Sequence, residues 1–137
     1  MSNLIFPTAL GRFSSGDIDW TNHDIRCSLI FEEYVYDASD EYLDDIGDNL
    51  ASTVIVDSKT IDGLGKMSCD DFLFPSVPAD GARNVNAVIV WRYIDNSANS
   101  PVIAYIDDAG AELPILPDGN NIPVTQSPSG LIQLSNA

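Results

Sequence analysis

NVNAVIVWRYIDNSANSPVIAYID, residues 84–107, holds two apolar runs divided by a polar turn. The runs, 85–94 and 102–106, are rich in Val, Ile, Tyr and Trp, residue types that suit a pleated, buried surface. Asn96, Ser97, Asn99 and Pro101 mark the turn between them, so the stretch reads as a β-hairpin. In the first run Val85, Ala87, Ile89, Trp91 and Tyr93 share one face. Asn86, Val88, Val90, Arg92 and Ile94 share the other, and both faces are largely apolar. Such a strand is either central in a sandwich or carries one face into a subunit interface. The sequence leaves both open.

Outward from the hairpin, the chain breaks into many short elements. Eight prolines and nine glycines are spread along 137 residues, a pattern of sandwiches and barrels rather than helical bundles. Residues 25–31 form a strand with Ile25, Cys27, Leu29 and Phe31 inward and Arg26 and Ser28 outward. Residues 52–56, 59–61, 66–69 and 70–74 read as further strands, as do 115–116, 122–125 and 131–134. Pro123 suggests an edge position for its strand. A short helix is predicted over residues 8–13, with Ala9, Leu10 and Phe13 on one face and Gly16 ending it. A second is predicted over 40–46, capped by Ser39, with Asp40 and Glu41 in its first turn and Gly47 as its stop. Leu4, Ile5 and Phe6 form only a short apolar patch. The expectation is one domain, 1–137: all-β, an antiparallel β-sandwich or jelly-roll-like fold with one or two short helices.

The formal net charge is -15, with 21 acidic against six basic residues. Such a surface repels phosphate backbones and anionic headgroups, which argues against direct nucleic-acid or membrane binding. It keeps subunits soluble and discourages wrong contacts. No run is long and apolar enough to span a bilayer, and the N-terminus lacks a signal-peptide pattern, so folding in a cytoplasm is expected. Cys27 alternates with Ile25, Leu29 and Phe31 like a small buried hydrophobe. A Cys27–Cys69 bridge stays open as the alternative to two free thiols.

Candidate chemistry is thin. His23, beside Asp24, is the one histidine, and no serine lies in a glycine-flanked nucleophile turn. The carboxylate pairs Glu32-Glu33, Asp44-Asp45, Asp70-Asp71 and Asp107-Asp108 could serve glycoside hydrolysis, but surplus acids create such pairs by chance. Residues 44–48 and 107–110 carry oxygen ligands for calcium without the EF-hand spacing. Trp20, Trp91, Tyr34, Tyr36, Tyr93 and Tyr105 fit core packing better than a sugar platform. No phosphate, zinc or dinucleotide motif is present. No catalytic residue, cofactor or metal is expected.

Several motifs nevertheless combine into a recognisable pattern. They are Gly16-Asp17-Ile18-Asp19-Trp20, Asp24-Ile25-Arg26-Cys27-Ser28-Leu29-Ile30, the acidic stretch 39–46, and Asp70-Asp71-Phe72-Leu73-Phe74. The hairpin segments Ala87-Val88-Ile89-Val90-Trp91-Arg92-Tyr93 and Ser100-Pro101-Val102-Ile103-Ala104-Tyr105-Ile106-Asp107 complete it. Over roughly residues 8–134 the sequence resembles a group of small structural proteins encoded in tailed-bacteriophage virion gene clusters. It departs from that group where a glycine-rich stretch shrinks to Gly63-Leu64-Gly65, and in a proline-rich segment at 111–123. The resemblance implies a virion component without catalytic residues: a capsid decoration or cement protein, or a tail or neck protein. A carbohydrate-binding adhesion module is a further alternative. The implied partner is the major capsid protein, on the capsid exterior, with dimers or trimers of the chain itself. Leu4, Ile5, Phe6, Val88, Val90, Arg92 and Ile94 are the interface candidates.

Overall fold

The computed structural model describes residues 3–63, 65–79, 83–107, 113–124 and 132–133. Ten strands are assigned among them: β1 (Asn3–Ile5), β2 (Ile25–Phe31), β3 (Leu50–Ile55), β4 (Thr60–Ile61), β5 (Lys66–Ser68), β6 (Phe72–Phe74), β7 (Val85–Arg92), β8 (Val102–Ile106), β9 (Ile122–Val124) and β10 (Ile132–Gln133). Helix α1 spans Pro7–Ser15, and a 3-10 turn covers Leu43–Ile46. The fold is all-β and sandwich-like. One five-stranded antiparallel sheet has the order β1-β8-β7-β2-β3, and two small sheets, β10-β5-β4 and β6-β9, accompany it. The turns expected near 79–81 and 127–130, the ends of the closing strand at 131 and 134, and Thr125 lie wholly or partly outside the described residues.

The hairpin β7–β8 forms as the sequence indicates, and it sits in the middle of the large sheet. Directly opposed residues of an antiparallel ladder share a face. Val88 and Val90 oppose Leu29 and Cys27 on one side and Ile106 and Ala104 on the other. Ile89 opposes Ser28 and Tyr105 on the reverse face. Both faces are covered by the chain itself: Val88, Ile89 and Val90 are fully buried. The small sheets bring Met67, Phe72, Phe74, Ile122 and Val124 into the core. On the Ile89 face, the Tyr105 ring packs 5.9 Å from Tyr34 and 5.8 Å from Tyr36, and Tyr36 lies 4.9 Å from Phe6.

Five local expectations change. Residues 115–116 are not a strand, and Ile115 only bridges Val85. Ser28 is fully buried, because the face assigned to solvent is the covered reverse of a two-sided sheet. The patch at Leu4 is strand β1, paired with β8 from Asn3↔Ile106 to Ile5↔Ala104. Leu10 is exposed while Ala9 is buried, since one helical step turns the side chain by about 100°. The second helix starts at Leu43, not Asp40. Asp37 Oδ1 accepts from the Ser39 backbone N–H and hydroxyl, which spends the proposed cap on a tight turn. Residues 41–43 then run extended beside the start of β8: Val102 N–H donates to Glu41 O and Leu43 N–H to Ser100 O. Helix α1 matches its signals more closely, with Pro7 in the first turn and Gly16 at φ 84° as its left-handed stop.

Candidate interaction surface

The interface candidates separate by burial into three groups. Phe6, Val88 and Val90 have no exposed surface in the single chain, so they are core residues and have none to offer a partner. Their double-sided apolarity is satisfied by the chain's own layers. Ile5, Arg92 and Ile94 are half-buried. Arg92 Nη1 donates to the Asp17 carbonyl at 2.7 Å, and Ile94 N–H donates to Ser100 Oγ at 3.0 Å. Leu4 alone of the seven counts as exposed, on the outermost strand β1.

The residues weighed for chemistry are engaged in holding local structure. His23 closes a turn: its Nδ1 accepts from Asp19 N–H at 2.9 Å, and its carbonyl accepts from Lys59 Nζ. Asp45 Oδ2 accepts from the backbone N–H groups of Glu41 and Tyr42 at 2.9 and 3.1 Å, and Asp44 Oδ1 from Ser97 Oγ at 3.3 Å. Among the described residues no group of three or more His, Cys, Asp or Glu side chains is placed to hold a metal. Part of the second calcium candidate, 108–110, lies outside them. Trp20, Trp91, Tyr34 and Tyr105 are buried, and Arg26 covers the half-exposed Tyr93 ring at 3.9 Å. Both cysteines are buried, and neither is in a disulfide. Burial pushes the Cys27 thiol well up, and burial with Asp70 and Asp71 nearby raises Cys69 to about 12.

The Asp45 bonds have a measurable consequence. Two backbone donors hold its carboxyl below the usual carboxylate range. A depressed folded pKa contributes stability above the unfolded pKa, near 3.8, and loses it as pH falls through the folded value. Asp45→Ala should therefore cost about 1 kcal/mol at neutral pH, reduced by solvent screening. The difference from wild type should shrink below pH 4. Urea unfolding at pH 7 and pH 3 measures it; an equal difference at both pH values would assign the loss to packing.

The cations are largely spent inside the molecule. Arg12 pairs with Glu41 at 2.7 Å, Arg26 with Asp24 at 3.0 Å and Arg83 with Glu33 at 3.0 Å. Arg92 and Lys59 hold backbone carbonyls. What remains outward is anionic, and against it the exposed apolar residues stand out.

Two of these, Ile55 and Leu73, flank one groove. They are 56% and 53% exposed, on β3 and β6. The groove has a volume of about 490 Å³ and is lined by Thr53, Val54, Ile55, Phe72 and Leu73, with Asp57, Asp70 and Asp71. Its shape follows from the hydrogen bonds. Asp70 N–H donates to Asp57 O at 3.1 Å, joining the two segments at one end. Beyond that point β3 pairs with β2 and β6 with β9, and no ladder forms between β3 and β6. Val56 N–H donates to Ile25 O, which sets the parity of the β2–β3 ladder. The backbone groups of Val54 and Ser52 then point to β2, and those of Thr53 and Ile55 point to the outer edge. Sequence reading missed this groove. The available signal was Ile55 and Leu73 themselves, apolar residues at the outward parity of their strands.

Models of known protein families give no match to this chain. Among curated proteins none is similar to it.

Proposed function

We propose that the protein is a non-catalytic structural component of a tailed-phage virion: a decoration (cement) protein that binds the outside of a shell of major capsid protein. The observation that carries this reading is the large sheet's two open edges. β1 and β3 each have one hydrogen-bonded neighbour among the described residues, and each presents an exposed apolar residue, Leu4 or Ile55. Unpaired strand edges are natural templates for another chain. The sandwich-like fold and the sequence's resemblance to phage structural proteins support the same reading. The anionic surface keeps free subunits soluble and away from packaged nucleic acid.

The mechanism is binding energy without bond chemistry. A subunit that binds only the assembled, expanded shell shifts the assembly equilibrium toward it, by about 2.7 kcal/mol per site at a free concentration a hundredfold above Kd. Repeated sites around symmetry axes would bring copies together as dimers or trimers on the shell. Purified protein should co-sediment with expanded capsids and raise their disruption temperature. Absence of both effects would overturn the decoration role, and cryo-microscopy density at the neck or tail would relocate it.

A further inference from the structure

The cleft between β3 and β6 resembles a ladder unzipped from one end. Its hinge is the Asp70–Asp57 bond, and beyond it the Thr53 and Ile55 backbone groups face outward with no strand hydrogen-bonded to them among the described residues. Its walls are Thr53 with the apolar Val54, Ile55, Phe72 and Leu73, and its closed end carries Asp57, Asp70 and Asp71. Burial first, and then the charges of Asp70 and Asp71, raise the Cys69 thiol beside it. Lys59 donates to the His23 carbonyl, and its charge also reaches Cys69.

We propose that this cleft is a strand-addition site for a cationic, extended segment of a partner protein. The segment pairs with the outer edge of β3 at Thr53 and Ile55. It sets apolar side chains against Ile55 and Leu73, and lysines or arginines against the aspartates. Main-chain hydrogen bonds supply affinity in such additions, and alternate side chains supply specificity. Charge selects among occupants. A second copy of this chain, at -15, brings like charge to an acidic cleft, whereas a basic strand finds complementary charge at the hinge. Within the decoration reading, on which its biological setting rests, the segment is an arm of the shell protein; the cleft's chemistry holds without it.

The probe is a blocked heptapeptide alternating lysine and valine, titrated into isotopically labelled protein and followed by amide NMR. The expected result is shifts at Thr53, Ile55, Asp57, Phe72 and Leu73, slowed exchange of the Thr53 and Ile55 amides, and affinity that falls with salt. A glutamate–valine peptide should bind at least tenfold more weakly. Ile55→Pro removes only an outward N–H, tolerable on an edge strand, and should abolish binding with the circular dichroism spectrum retained. Asp57→Lys with Asp70→Lys should weaken binding at least tenfold and serves if the proline variant does not fold. Absent binding, shifts centred on residues 37–48 without amide protection, or a wild-type dimer joined through β3 would each overturn the proposal. Capsid binding is scored separately. Peptide binding without capsid binding removes the decoration reading and keeps the cleft. Capsid binding unchanged in the Asp57/Asp70 variant, with no peptide binding, does the reverse.

Discussion

Val90→Asp should unfold the isolated chain at neutral pH. Val90 is fully buried, opposed by Cys27 on β2 and Ala104 on β8. A carboxylate there has no cation to meet, since it faces the apolar interior between the large sheet and its covering layers. The cost of burying an unpaired charge is about 5 kcal/mol, comparable to the whole stability of a small domain. Circular dichroism and size exclusion should show an expanded chain without a cooperative melt. Ile55→Asp is the control on another strand of the same sheet. At 56% exposure it should stay within about 0.5 kcal/mol of wild type. Were Val90 part of an intermolecular face, its aspartate variant would fold normally and fail only in assembly. That outcome would contradict the sandwich described above.

This contrast also marks where sequence reading reaches and where it stops. The hairpin β7–β8 is legible because β-branched and aromatic residues fill it and a polar turn divides it. Strand β2 is legible to the residue, from Ile25 to Phe31. What period-two alternation cannot supply is the number of layers. A strand apolar on both faces looks the same whether its second face meets its own chain or another. Only the fold shows that residues 34–36 cover that face through the Tyr34, Tyr36 and Tyr105 rings. The three-residue strand β1 is illegible for a related reason. Its pairing with β8 is fixed by contacts some hundred positions away, beyond any local window. The shortened second helix depends on a competition between turn, cap and sheet edge that propensity does not rank. The cleft has the weakest signal, two outward apolar residues. It exists because β3 and β6 join at one hydrogen bond and then diverge.

The second large effect concerns the polar group buried inside that sheet. Trp91 Nε1 donates to Ser28 Oγ at 2.9 Å, and Ser28 Oγ lies 2.6 Å from Thr53 Oγ1. The chain of contacts crosses three strands, β7, β2 and β3. Trp91→Ala should cost about 3–5 kcal/mol, as the loss of a large buried side chain requires. Ser28→Ala should cost about 1–3 kcal/mol, because the indole N–H is left without an acceptor in a dry site. Thr53 is exposed, so water can replace its lost partner. Trp91→Phe removes the donor while keeping a ring. Combined with Ser28→Ala it leaves nothing unpaired, so the double variant should be more stable than the sum of the singles by about 1–2 kcal/mol. Urea titrations of the four proteins measure this coupling, and strict additivity would mean that the Trp91–Ser28 bond contributes nothing. The network also bears on binding. Thr53 holds β3 to the sheet with its hydroxyl while its backbone faces the cleft. Ser28→Ala should therefore speed amide exchange at Thr53 and Ile55 more than at the central strand β7. A binding edge anchored from inside the sheet can stay open to a partner without fraying.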